Sequence, residues 1–320
     1  MLPSILSMLL LTLTQAVFLL AFAPMTVGLI RSVKARLQCR RGPSLLQPYA
    51  DIAKLMKKQP LLSTTTSWIF TATPYIVFGA TMTAGLLVPV FVSDVPLNFA
   101  GNILAFVYLF ALGTFFLILA GLDAGSAFGG MGGSREAIVA SLTEPAMIMA
   151  VFAIALTTGP TNLSTIVRKT ALLDGIVTAP SPHLMALAAL VIVAVAETGR
   201  VPVDNPATHL ELTMIHEAMV LEYSGRYLAL LEWANALKLL VFLTLIANVC
   251  APWGIATTFT PQALALGVGV YVAKVTGLAV LLGIMESMFA KLRLFRLPDL
   301  LGAAFILALL GLLFFYILRG

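Results

Sequence analysis

The feature that most constrains this chain is a succession of apolar segments, each about as long as a bilayer is thick. A spanning helix needs about 20 mostly apolar residues. Eight stretches meet or approach that length: roughly 3–30, 68–92, 101–121, 137–160, 183–198, 227–249, 266–285 and 300–318. Backbone polar groups in hydrocarbon must be satisfied inside the segment, so such spans fold as helices. The pattern predicts an all-α, polytopic membrane protein, with residues 1–320 forming one transmembrane helical domain. Composition closes the alternatives. Charged residues make up 10% of the chain, against about 25% in a soluble domain, too few to cover a water-soluble surface. Two cysteines, Cys39 and Cys250, exclude a disulfide scaffold and a Cys-rich zinc or iron–sulfur site within the chain. The first span exceeds the apolar core of a cleavable leader and is expected to persist as a helix. The fifth is short and ends on Glu197.

Basic residues set the orientation. The loops joining spans 1–2, 3–4, 5–6 and 7–8 hold 14 of the 19 lysines and arginines. The other face holds only Arg168, Lys169 and Arg319, while Lys238 and Lys274 lie inside spans. Both termini are therefore expected on the outer face of the cell membrane. The long loops 31–67 and 199–226 are expected in the cytoplasm. The net charge of +5 reflects this asymmetry and an attraction to anionic lipid. Basic residues spread over juxtamembrane loops, without interleaved aromatics, do not describe a nucleic-acid surface.

In the first long loop, Leu45, Tyr49, Ile52 and Met56 share one helical stripe, with Gln47, Asp51, Lys54 and Lys58 elsewhere. This predicts a cytoplasmic amphipathic helix with Ser44 as its N-cap and Pro48 in its first turn. Such a helix can lie in the headgroup layer, or it can wall a cavity and dock a partner; the pattern leaves both readings open.

Carboxylates stand where they are costly. Ionisable groups in a span usually face a protein or water-filled interior. Glu136 and Glu144 fall in the fourth span, Glu197 ends the fifth and Glu286 ends the seventh. The loop after the fifth span adds Asp204, Glu211, Glu217 and Glu222, with His209 and His216. Close like charges and burial raise carboxylate pKa values toward neutrality. Glu136, Glu144, Glu197, Asp204, Glu211, Glu217 and Glu222, with Lys238 and Lys274, therefore form a candidate proton path. Each acid also fits a structural ion pair with Arg135, Arg200 or Arg226. No spacing marks a metal site, and no nucleophile–base pair marks hydrolysis. The glycines of 121–136 lack the lysine of a phosphate loop and are read as letting backbones approach, with Ser134 as N-cap of the fourth span.

Several motifs then carry a resemblance: Arg40-Arg41-Gly42-Pro43, Asp51-x-x-Lys54-Leu55, Ala196-Glu197-x-x-Arg200-x-Pro202-x-Asp204, Glu211-Leu212 and Glu222-Tyr223-Ser224-Gly225. In this order and between these spans, the chain resembles the membrane subunit shared by respiratory complex I (its subunit 1) and the group 4 membrane-bound NiFe-hydrogenases, including formate hydrogenlyase. Gly121-Leu122-Asp123, Ser134-Arg135-Glu136, Leu237-Lys238 and the series Lys274, Glu286, Lys291-Leu292-Arg293 look like the hydrogenase branch. Ala207 and His209 stand where both branches usually carry acids.

The resemblance implies a non-catalytic subunit of a redox-driven oxidoreductase complex. It would anchor cytoplasmic iron–sulfur and hydrogenase-like subunits to antiporter-like membrane subunits and couple them to proton or sodium translocation. The iron–sulfur clusters and NiFe site would sit in partners, none being bound by this chain. Arg36, Arg40, Arg41, Asp51, Lys54, Arg200, His209 and Tyr223 would form the redox-arm interface or, in the alternative of a complex I-like dehydrogenase, line a quinone cavity. A stand-alone carrier is disfavoured by the lack of an inverted repeat.

Overall fold

The structure, a computed structural model, describes residues 5–92, 103–158, 162–171, 181–204, 214–256 and 261–319. Among them are eleven α-helices: α1 (Ile5–Leu37), α2 (Gln47–Lys57), α3 (Trp68–Leu87), α4 (Ile103–Asp123), α5 (Ala127–Thr158), α6 (Leu163–Ala171), α7 (Ser181–Glu197), α8 (His216–Val220), α9 (Gly225–Cys250), α10 (Pro261–Met288) and α11 (Leu297–Arg319). Seven are long and apolar enough to cross a membrane, and α7 is a shorter apolar helix. Its 17 residues rise only about 25 Å, short of the ~30 Å hydrocarbon core. The chain is an all-α, multi-pass membrane protein.

Four local expectations need correction. The fourth span starts at Ala127, so Ser134 lies inside α5 and its hydroxyl donates to the Met131 carbonyl at 3.0 Å. Helix persists through this glycine-rich stretch because tertiary contact supports it. A Cβ on Gly129 would run into the Gly121 carbonyl of α4, and one on Gly132 would meet Ala218 of α8 at 2.8 Å. The first span also continues past residue 30, to Leu37. Ser44 is not the N-cap of α2: that position is Leu46, with no side-chain cap, and Ser44 offers only its carbonyl to the Gln47 N–H at 3.0 Å. The buried stripe of α2 turns accordingly. Pro48 is buried while Leu45 and Met56 are exposed, and α2 packs on α9 and α1. Finally, the loop between α5 and α7 carries the additional helix α6.

The bundle is organised around α9. Its apolar window is 72% buried, against 22% for α10 and for α11, which leaves those two at the periphery. Leu237, Leu240 and Phe242 of α9 are fully buried with Phe106 of α4, Met147 of α5 and Leu190 of α7. Phe242 stacks on Phe110 at 5.0 Å. Around this axis, α3 packs on α4 and α9, α11 on α7 and α5, and α10 on α1 and α9. Pro24, Pro74 and Pro145 sit inside helices, as helix–helix packing in membranes tolerates.

The ends of α1, α7 and α10 and the start of α9 gather at one end of the bundle, the basic end. There the post-α2 linker seats against α9: the Leu61 N–H donates to Ser224 Oγ at 2.8 Å, and Gly225, at φ +56°, leaves no room for a Cβ beside Lys58 and Gln59. At the opposite end, Val92 and Ala256 form a single parallel bridge.

Candidate functional site

A cavity of about 780 Å³ opens at the basic end, within the ~300–1,000 Å³ range of ligand sites. Its walls come from both long basic loops and the helices they join: α1, α2, the segment after α7, α8, the first half of α9 and the end of α10. The helix α2 is thus a cavity wall, one of the two readings its pattern allowed. The walls carry four cations, Arg31, Lys34, Arg200 and Lys291, and five acids, Asp51, Asp204, Glu217, Glu232 and Glu286.

The charges are organised by pairing across elements. Glu286, whose side chain is 0% exposed, forms an ion pair with Lys34 at 2.7 Å and accepts a hydrogen bond from Arg200 at 3.0 Å. One carboxylate thereby ties the last turn of α1 and the post-α7 segment to α10. Lys291 reaches Asp204 at 2.7 Å, and the other Asp204 oxygen accepts the Ile215 N–H at 3.1 Å, just before α8. The Leu292 N–H donates to the Pro202 carbonyl at 2.8 Å. Among the described residues, Arg135 donates to the Met214 carbonyl at 3.0 Å and pairs with no acid. A buried charge requires such compensation.

From this cavity a row of carboxylates enters the bundle. Glu232 lies in electrostatic reach of Arg31 and Asp51, and Glu217 in reach of Glu232, Asp204 and Arg31. Glu136 on α5 is in reach of Asp204, Glu197 and Lys238, and Glu144, deeper on α5, of Glu197 and Lys238. Glu197 and Lys238 form an ion pair at 2.7 Å. Lys238 lies about 20 Å along α9 from its start, so the row extends to the middle of the bundle.

The structure thus brings together Glu136, Glu144, Glu197, Asp204, Glu217, Lys238, Asp51 and Arg200. It does not bring Lys274 to them: this amine, from α10, donates to the Ala251 and Trp253 carbonyls beyond the end of α9 and sits 5.5 Å from the Trp253 ring. Tyr223 is also elsewhere. It is buried, stacks on Phe70 at 3.9 Å and donates to the Phe70 carbonyl at 2.8 Å, fastening α3 to the start of α9. Arg36, Arg40, Arg41, Lys54 and Glu222 are exposed outside the cavity lining. His209 and Glu211 lie outside the described residues. Sequence reasoning missed Glu232, Arg31, Lys34 and Lys291 as cavity groups; a single acid in the first turns of an apolar span was the available signal for Glu232. Among the described residues no group of three or more His, Cys, Asp or Glu could hold a metal.

Two adjacent groups on α8 titrate in opposite senses. Burial, with Glu232 and Asp204 nearby, pushes Glu217 up to about 7, against the pull of Arg31. Burial, with Lys238, pushes His216 down to about 4, against Asp204. A raised carboxyl pKa contributes stability below the unfolded value that is lost as pH rises through the folded one. A depressed histidine pKa makes stability fall as pH drops below its unfolded value. Between about pH 4.5 and 6.5 the two trends oppose each other. Relative to the parent, Glu217→Gln is expected to gain stability as pH rises from about 4.5 to 7, and His216→Gln as pH falls from about 6.5 to 4, each on the order of 2–3 kcal/mol at full extent. Melting temperatures of the purified variants across this range check both signs.

A protein-family model described as NADH dehydrogenase matches residues 9–317. Formate hydrogenlyase subunit 4 of Escherichia coli K12 is 34% identical over 299 residues, which cover 93% of this chain and 96% of that one. Hydrogenase-4 component C of the same organism is 33% identical, covering 94% of each chain. An NADH-quinone oxidoreductase subunit of Paramagnetospirillum magneticum is 30% identical over 70% of this chain and 67% of that one. A chain of the archaeal membrane-bound sulfane sulfur reductase, a respiratory membrane complex, shares the fold, with a TM-score of 0.82 over 96% of this chain and 99% of that one at 20% identity.

Proposed function

The chain belongs to the NADH dehydrogenase family, and from that premise we propose that it is the membrane-anchoring, ion-coupling subunit of a group 4 hydrogenase-like complex of the formate hydrogenlyase type. The observation that carries this reading is the set of charged groups that extends from a cavity at the basic end to the Glu197–Lys238 pair in the middle of the bundle. The whole chain acts as one transmembrane domain. Its basic end faces the cytoplasm and both termini face outward across the cell inner membrane, as the lysine and arginine asymmetry favours. Exposed Arg36, Arg40, Arg41 and Lys54 lie on the segments that contribute cavity walls and receive iron–sulfur and hydrogenase-like subunits that hold the clusters and the NiFe site. Antiporter-like membrane subunits continue the ion path.

In this reading a charge change at the cavity is felt first by Glu217 and Glu232, whose partners are shared. The post-α7 segment, tied by Arg200 to Glu286 and by Asp204 to Lys291, links the cavity to Glu136. Protons then pass among Glu136, Glu197 and Glu144 through intervening water, with Lys238 offsetting the charge. Full-length similarity to the formate hydrogenlyase and hydrogenase-4 subunits favours this branch. The cavity's size favours a second reading, a quinone-binding subunit of a complex I-like dehydrogenase, because 780 Å³ would admit a small organic headgroup.

Affinity purification through a tag on this chain tests the reading. Cross-links from Lys54, and from cysteines introduced at positions 36, 40 and 41, are expected to reach a hydrogenase-like or iron–sulfur subunit. Cross-links to lipid alone, in a preparation lacking metal-bearing partners, would sink it. Co-purification of quinone-linked dehydrogenase subunits would favour the second reading.

A further inference from the structure

A second, smaller groove adjoins the charged cavity, and Thr198 lines both. It has a volume of about 200 Å³ and is lined by α7, α9 and α10. Leu239, Phe242 and Leu243 of α9 form its floor, and Leu278, Leu281 and Leu282 of α10 form one wall. The hydroxyl of Thr198, on the opposite wall, is already committed to the Ala194 carbonyl at 2.7 Å. The groove therefore presents no polar group that seeks a partner. It exists because α10 packs on α1 and α9 while α11 packs on α7 and α5, which leaves α7 and α10 apart.

The topology places charge over one end of this groove. The linker 289–296 starts on α10, one wall, and ends on α11, which runs along α7, the other wall. It must cross the groove's basic end, and it is held there by the Leu292 N–H to the Pro202 carbonyl at 2.8 Å. The linker carries Lys291, Arg293 and Arg296. Lys291 is engaged with Asp204. Arg293 and Arg296 are exposed, and among the described residues neither makes an ion pair.

We propose that this groove holds one acyl chain of an anionic phospholipid, whose phosphate is met by Arg293 and Arg296 at the headgroup level. The volume fits a chain. The groove, about 200 Å³ and lined almost wholly by aliphatic side chains with Phe242, admits a stretch of acyl chain. A helix with side chains, ~10–12 Å across, does not enter it. Burial is favourable at ~0.8 kcal/mol per CH₂, and the two arginines supply the charge that selects an anionic headgroup. The lipid would then fill the gap beside α10 and hold this peripheral helix against α7 and α9.

Native mass spectrometry of the purified complex tests this, after equilibration with equal phosphatidylglycerol and phosphatidylcholine and a detergent wash. The parent complex is expected to retain one phosphatidylglycerol through this chain. Leu281→Trp, at a 61% exposed position on the groove wall, is expected to lose that lipid by filling the space. The double variant Arg293→Gln/Arg296→Gln leaves the groove intact and removes only surface charge. Its preference for phosphatidylglycerol over phosphatidylcholine is expected to fall roughly 25-fold, about fivefold per charge. Equal retention and equal preference in all three proteins would overturn the proposal. A photocrosslinker at position 281 that captures a partner polypeptide or a quinone, rather than phospholipid, would overturn it as well.

Discussion

Glu286→Gln is expected to cost about 3 kcal/mol or more and to lower sharply the amount of assembled complex. The carboxylate is fully buried, while Lys34 and Arg200 retain 18% and 11% of their side-chain exposure. Removing one partner of a buried pair typically costs 3–5 kcal/mol, because the other charge stays desolvated without compensation. Here two cations are left, and each is partly hydrated, which places the expectation at the low side of that range. The effect is structural as well as electrostatic, since the same carboxylate joins α1, α10 and the segment carrying Asp204. Replacing the triad together, as Lys34→Met, Arg200→Met and Glu286→Met, removes the stranded charges and should recover part of the stability. Thermal melting and blue-native gels of both proteins check this. An unchanged melting temperature for Glu286→Gln would show that the triad is hydrated rather than buried.

These pairs explain which parts of the site could be read from sequence. A carboxylate in an apolar span is conspicuous against 10% charged residues, so Glu136, Glu144 and Glu197 stood out. Their partners did not. Lys238 and Glu197 are 41 positions apart, and Lys34 and Glu286 lie at nearly opposite ends of the chain. Only tertiary packing decides that lysines, rather than Arg135 or Arg226, meet the acids. Lys274 shows the converse. Its depth in the sequence suggested a relay, but a long side chain can leave its own level, and its amine reaches carbonyls past the end of α9.

The helices were more legible than their ends. Apolar length fixed α4, α9 and α11 closely, because the bilayer imposes that length, whereas α3 ends at Leu87, short of the expected residue 92. The start of α5 was hidden by glycines, which weaken helix propensity yet permit the α4–α5 and α5–α8 contacts that keep it helical. The Glu222-Tyr223-Ser224-Gly225 motif looked functional, and the structure accounts for three of its members by packing. Tyr223 holds Phe70, Ser224 holds Leu61, and Gly225 makes room for the linker.

Conduction carries the other large effect. Neither Glu136 nor Glu144 makes an ion pair among the described residues, whereas Glu197 is bound to Lys238 at 2.7 Å. Gln preserves volume and hydrogen bonding but cannot exchange a proton. Glu136→Gln and Glu144→Gln are therefore expected to lower ion movement about a hundredfold or more, the low side of what positioned proton transfer contributes, with normal assembly. Glu197→Gln is expected to behave differently. It strands Lys238 in the bundle and should reduce assembly as well as ion movement.

The most direct measurement is the number of ions moved per electron transferred by purified, fully assembled complexes in sealed vesicles. The parent is compared with Glu136→Gln and Glu144→Gln, using a fluorescent reporter of ion movement beside the redox assay. A path through these carboxylates predicts that both variants move few ions per electron, with turnover either slowed or uncoupled. A parent-like ratio at parent-like turnover in both variants would contradict it.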